Sequence, residues 1–168
     1  MPNHVTNILT ISGEEAYVAN VMKAIRGNND NELIDFMVAD PMPKELLDGD
    51  GWYGWRSMHW GTKWNAYDSE SISENEIQFL TAWSTPEEAI KKFSSMFPEA
   101  SFRVVYADED IGYNCGEYTY DEGEIANEYR PDGGSDDAME YYFQTHEDNR
   151  DLFRKNAKGE WEYAVERW

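Results

Sequence analysis

The stretch EIQFLTAWSTPEEAIKKFSSMFPEASFRVVY, residues 76 to 106, decides the fold class. Ile77 and Phe79 alternate with Gln78 and Leu80, which predicts a strand over 76–83 half-buried by one face. Ser84 or Thr85 is placed to cap a helix, with Pro86 in the first position, where its missing amide costs nothing. Glu87 and Glu88 complement the positive end of the helix dipole. Ala89, Ile90, Phe93 and Phe97 then recur at helical spacing until Pro98 ends the run, and Phe102 to Tyr106 is rich in the β-branched and aromatic residues of a buried strand. Strand, helix and strand follow one another within about thirty residues, the length of a βαβ half.

The N-terminal third has the same order. Val5, Ile8, Leu9 and Ile11 stand among Thr6 and Thr10 and are closed by Ser12-Gly13, which predicts a strand. Glu14 and Glu15 open a helix in which Tyr17, Val18, Val21, Met22 and Ile25 form the apolar face, and Gly27 stops it. Leu33 to Val38 reads as the second strand of this half, ended by Pro41-Met42-Pro43. Residues 44–67 break the pattern with Trp52, Trp55, Trp60 and Trp64 and read as an insertion with a short helix near Lys44 to Leu47. Two such halves predict an α+β, ferredoxin-like split βαβ arrangement, an antiparallel sheet with both helices on one face, over residues 1–110. Residues 111–168 read as an acidic extension packed on that core as one structural unit with it. Within it, Tyr113–Tyr120 and Glu124–Tyr129 form a hairpin about Asp121-Glu122-Gly123, Ser135 caps a helix with Met139, Tyr142 and Phe143 inward, and Trp161, Tyr163 and Val165 alternate in a last strand.

Composition narrows the function classes. The 168 residues carry 14 Lys and Arg against 34 Asp and Glu, a formal charge of −20. A surface of that sign repels phosphate backbones and anionic lipid, so direct nucleic-acid or membrane binding is disfavoured. From Asp108 to Asp151 there are fifteen acids and only Arg130 and Arg150 as bases, so most of the excess lies in about a quarter of the chain. At 40% hydrophobic and 15% aromatic, the chain has ample apolar surface to bury and wholesale disorder is excluded. The single Cys115 rules out an internal disulfide and a cysteine-based metal site, and no cofactor is expected. No apolar run approaches the roughly 20 residues that span a bilayer, and no signal peptide opens the sequence, which points to a soluble, cytoplasmic protein.

Signatures of catalysis are missing. Cys115 lies in Tyr113-Asn114-Cys115-Gly116 with no recognised nucleophile pattern, and the three histidines, His4, His59 and His146, are far apart in sequence. There is no phosphate loop, G-x-S-x-G or H-E-x-x-H motif. Asp108-Glu109-Asp110 begins like a calcium loop, but its glycine falls one place early and Thr119 stands where the closing Glu belongs. Trp52, Trp55, Trp60, Lys63, Trp64 and Asn65 offer a stacking pocket for a sugar or base, and with it the alternative of a ligand-binding or catalytic domain that uses the insertion as its pocket. Because aromatics dominate small cores, the stronger expectation is that these Trp pin the insertion onto the open face of the sheet.

Met1-Pro2-Asn3-His4-Val5-Thr6-Asn7, Trp60-Gly61-Thr62-Lys63-Trp64-Asn65-Ala66, and Phe79 to Pro86 followed by Phe97-Pro98 together resemble the YubB-type ferredoxin-like proteins of bacteriophages and conjugative plasmids. The resemblance spans about residues 1 to 130, and the acidic tail after Tyr129 reads as particular to this chain. It implies the same fold and a mobile-element setting inside a bacterial host cell, where counter-defence genes are frequent neighbours, with no agreed biochemical activity. Joined to the acidic tail, it leads to the expectation of a binding module that mimics nucleic acid and blocks a basic host protein, of anti-CRISPR or anti-restriction type. The contacts would come from Glu117, Asp121, Glu122, Glu124, Glu128, Asp132, Asp136, Asp137 and Glu140, with Tyr118 and Tyr120 supplying rigid contact area.

Overall fold

The computed structural model describes residues 2–164. Its elements in chain order are β1 (His4–Ser12), α1 (Glu15–Arg26), α2 (Phe36–Ala39), a 3-10 turn (Lys44–Leu46), α3 (Trp52–His59), β2 (Tyr67–Ser73), β3 (Glu76–Ala82), α4 (Glu87–Met96), β4 (Ser101–Asp108), β5 (Cys115–Asp121), β6 (Glu124–Tyr129), α5 (Asp136–Thr145), a second 3-10 turn (Glu147–Leu152), β7 (Phe153–Lys155) and β8 (Trp161–Tyr163). Six strands make one sheet in the order β2-β3-β1-β4-β5-β6, every neighbouring pair antiparallel. The first four strands with α1 and α4 follow the split βαβ connectivity of a ferredoxin-like domain.

Alternation along β1 separates the two faces. Val5, Leu9 and Ile11 point into the main core with Val18, Val21 and Ile25 of α1 and Ala89, Ile90 and Phe93 of α4. On the opposite face, Ala107 and Cys115 are covered by Ala138, Met139, Tyr142 and Phe143 of α5. The narrow apolar stripe of α5 therefore has its own, second core, and Ser135 caps the helix by accepting from Ala138 N. His146, just past the end of α5, stacks on Tyr142 and lies 3.3 Å from the Thr6 hydroxyl, tying the helix to β1.

Two expectations are corrected. Leu33 to Val38 is not a strand: the Asp35 carboxylate accepts from Met37 N and starts the helical turn α2, while Asn65 Oδ1 accepts from Phe36 N. Its place in the sheet is taken by β2, a polar edge strand that lacks the apolar alternation sequence reading looks for. The extension joins the core through the sheet itself, where β5 pairs with β4 from Ser101 opposite Asp121 to Ala107 opposite Cys115. Neither Ser84 nor Thr85 caps α4, since the Ser84 hydroxyl donates to Gly61 O and the Thr85 hydroxyl bonds Tyr118. The carbonyl of Trp60 instead accepts from Ala89 N, so the insertion itself closes that helix end.

The hairpin turn forms as expected, with Glu122 and Gly123 at φ of 53° and 77°, the two left-handed positions of a two-residue connection. Gly123 has little alternative, because a Cβ there would lie 2.2 Å from Ser95 Oγ. The last strand is realised in Trp161 and Tyr163, and Val165 lies outside the described residues. No helix among the described residues is long and apolar enough to cross a membrane.

Candidate functional site

The acidic residues are spread over several places rather than one row. Glu117 of β5 lies on the α5 side of the sheet, opposite Tyr129 of β6. These two, with Asp137, Glu140, Tyr141 and Gln144 of α5, line a groove of about 270 Å³. Strand pairing and helix docking thus bring Glu117, Asp137 and Glu140 together across more than twenty residues of sequence. Asp121, Glu122 and Glu124 stand exposed at the hairpin turn, whose Gly123 amide donates to Ser94 Oγ near the end of α4. Asp136 turns the other way, toward β7 and β8, where Lys155 and the Trp161 indole both donate to it. These two hydrogen bonds hold its carboxyl below the usual carboxylate range.

Several carboxylates already have partners. Arg103 pairs with Glu117 in the groove floor, Arg150 with Glu140 at 3.1 Å, and Arg130 with Glu128 at 3.4 Å and Glu87 at 2.8 Å. The Tyr129 hydroxyl donates to Asp137 at 2.5 Å, and that bond pushes the phenol above its ordinary value. Burial, reinforced by the charge of and hydrogen bond to Glu117, pushes Tyr141 up to about 12. Both rings stay neutral donors across the physiological range. Among the described residues, Asp121, Glu122, Glu124 and Asp132 make no ion pair, and all four are exposed.

Tyr118 and Tyr120 do not reach the surface, which corrects their placement as contact residues. Tyr118 is fully buried, its hydroxyl 2.6 Å from that of Thr85, and the Tyr120 hydroxyl donates to Glu87. They alternate with Glu117 and Thr119 along β5, so the strand that sends the acid to the groove sends the tyrosines into the core. The rings that line the groove are Tyr129 and Tyr141, 6.1 Å apart between centroids. Adjacency to acids does not sort these rings, since Tyr129 follows Glu128 and Tyr141 follows Glu140 just as Tyr118 follows Glu117; strand parity and helix phase do.

The Trp-rich insertion is chiefly a packing device, and it sits over the helical layer rather than the open face of the sheet. Trp60 is 1% exposed and packs on Phe36 and Trp55, while its indole donates to Asp40 O. Arg56 lies between the rings of Trp52 and Trp60, and Trp55 stacks on His59 at 4.2 Å. Asn65 is consumed in bonds to Asp35, Phe36 and Ala66. Lys63 turns its ammonium toward the rings of Tyr53, Trp64 and Trp83. Among the described residues there is no group of His, Cys, Asp and Glu able to hold a metal ion.

An antiparallel sheet with two helices on one face, extended at one edge by an acidic hairpin and backed by an acidic helix, defines a ferredoxin-like α+β domain. The chain belongs to the family described as the ferredoxin-like domain in Api92-like protein, whose model matches residues 59–153. That match runs through β5, β6 and α5 and ends at Phe153, so the tail after Tyr129 is not particular to this chain. The crystal structure of protein Api92 from Yersinia pseudotuberculosis is similar over 60% of this chain and 40% of that one, at 17% identity and a TM-score of 0.44. The chain therefore spans well under half the length of that neighbour. No curated protein sequence matches it.

Proposed function

We propose that this domain is a binding module that presents the groove between β6 and α5 to a basic, nucleic-acid-binding protein, in the manner of a nucleic-acid mimic. The reading is carried by one observation: Glu117, Asp137 and Glu140 converge beside Tyr129 and Tyr141 in one groove. Arg and Lys side chains that grip phosphate also grip carboxylate, and Arg does so through two parallel hydrogen bonds. Tyr supplies contact area at low entropic cost. Arg103 and Arg150 keep the groove carboxylates in place in the free protein, and a partner's guanidinium would add to or exchange with these pairs. The resemblance to YubB-type proteins suggests a phage or plasmid setting, in which a restriction or CRISPR component is a fitting target.

An arginine-rich peptide of about nine residues serves as a defined probe, titrated by calorimetry at 50 and 300 mM salt. Asp137→Lys with Glu140→Lys is expected to weaken binding at least tenfold at low salt and to reduce the salt slope, since exposed ionic contacts are screened within roughly 10 Å at 0.1 M. A control of equal charge change, Glu45→Lys with Asp48→Lys on the insertion, is expected to weaken it far less. Equal losses in the two variants, or binding indifferent to salt, would refute the groove as the site.

A further inference from the structure

Trp83 has a backbone φ of 69°, in the left-handed region that glycine occupies without strain and a bulky side chain rarely does. The position is held deliberately: Trp83 N donates to Asn3 O at 2.9 Å, and Asn114 Nδ2 donates to Trp83 O at 3.0 Å. Asn3 and Asn114 are both anchored on the buried carboxylate of Asp108. The result of this strain is an indole left 45% exposed, which contributes little burial in return. Tyr53, 42% exposed, stands against it with ring centroids 6.0 Å apart at 80°, so the two rings form perpendicular walls.

Lys63 occupies the corner. Its Nζ lies 4.3 Å from the Trp83 ring centroid, 5.1 Å from that of Trp64 and 5.9 Å from that of Tyr53, all within cation–π range. Among the described residues it has no carboxylate partner, in a chain with more than twice as many acids as bases. An ammonium is therefore held by π faces where carboxylates are plentiful elsewhere.

We propose that Tyr53, Trp64 and Trp83 form an aromatic cage for an ammonium ligand, closed in the free protein by the chain's own Lys63 as a tethered stand-in. The geometry defines the ligand chemistry, because the cage already seats a cation of that class, and the overall charge of −20 concentrates cations at the surface. Flat aromatic walls without a carboxylate favour a weakly hydrated, methylated ammonium over a bare one, whose hydration is costly to remove. Lys63 then acts as a gate: a ligand must outcompete it, and its removal opens the site.

The test follows the indole N–H signals of Trp64 and Trp83 by NMR during titration with choline and with its neutral isostere 3,3-dimethyl-1-butanol. In the native protein choline is expected to shift both signals with weak affinity. Lys63→Ser is expected to tighten choline about two- to fivefold, the factor set by loss of an exposed cation–π competitor, with no gain for the alcohol. Trp83→Ala is expected to abolish the response at Trp64. Should Lys63→Ser fail to fold, Lys63→Gln provides the same readout, and the native titration stands by itself. Tighter binding of choline than of Nα-acetyl-trimethyllysine amide assigns the cage to free quaternary amines, and the reverse assigns it to a modified side chain. No gain on removing Lys63, or equal responses to choline and the alcohol, overturns the proposal.

Discussion

Replacing Trp60 by Ala separates packing from ligand binding in the insertion. The indole is 1% exposed and meets Phe36 at 5.8 Å, Trp55 at 5.6 Å and the Arg56 guanidinium at 5.4 Å between centres. Truncating a buried aromatic of this size to Ala costs about 3–5 kcal/mol, transfer and cavity together. The lost bond from its indole N–H to Asp40 O, 2.9 Å long, adds roughly 1 kcal/mol. For a domain of this length each kcal/mol lowers Tm by about 2–4 °C, so a fall of about 8–24 °C is expected. Trp60→Phe retains part of the ring and is expected to lose less than half as much. Urea denaturation followed by far-UV dichroism measures both. A Trp60→Ala protein destabilised by less than about 1 kcal/mol would mean that the side chain is not core, and the reading of the insertion as a packing device would fall.

Tyr118→Phe strands the buried Thr85 hydroxyl 2.6 Å away and is expected to cost about 1–3 kcal/mol in denaturant unfolding, with Thr85→Val in the same chain recovering part of the loss. Burial raises the Asp40 carboxyl, but hydrogen bonds and charge from Lys92 at 2.6 Å and His59 at 2.7 Å outweigh it and leave it below the usual value. Its contribution to stability is thus complete above about pH 4 and lost as pH falls through the depressed value. Asp40→Asn is expected to flatten that acid limb in urea titrations at pH 2–6, and an unchanged limb would contradict the ion-pair assignment. Burial pushes the Cys115 thiol up to about 11, and its Sγ lies 3.6 Å from Ala138 O beneath α5. Iodoacetamide at pH 8 is expected to label native protein at least about 100-fold more slowly than denatured protein, and rapid native labelling would show that α5 does not cover the sheet.

What could be read from sequence was whatever is local. β3, α4 and β4 announce themselves because period 2, period 3.6 and period 2 follow one another, and each apolar set meets the same core. β2 escaped because an edge strand whose outer face meets solvent needs no apolar alternation; its register comes from pairing with β3 and from Glu32, which accepts from the amides of Asp68 and Ser69. Leu33 to Val38 was misread for the converse reason. Ile34 and Phe36 are completely buried and Leu33 and Val38 partly so, but by a capped turn held through Asn65, a partner about thirty residues away. At the end of α4 the Ser84 and Thr85 hydroxyls matched a capping pattern, yet both are drawn to tertiary partners, and propensity yields where a stronger distant acceptor exists.

The same distinction governs the site. Charge counted along the chain places Asp136 beside Asp137, but one step around a helix divides them, Asp136 toward Lys155 and Trp161, Asp137 toward Tyr129. One step along a strand likewise separates Glu117, in the groove, from Tyr118, in the core. A run of acids in sequence therefore cannot act as a row of phosphates merely by being a run. What can face a basic partner is the subset that strand parity and helix phase turn to one side, here Glu117, Asp137 and Glu140, and their spacing is set by how α5 docks on Ala107 and Cys115. It follows that a substitution under α5 that shifts the helix without touching a carboxylate, such as Ala138→Leu, should weaken binding of a basic peptide as charge reversal does, while leaving the net charge at −20. Charge alone would predict no change, so the two accounts part at that variant.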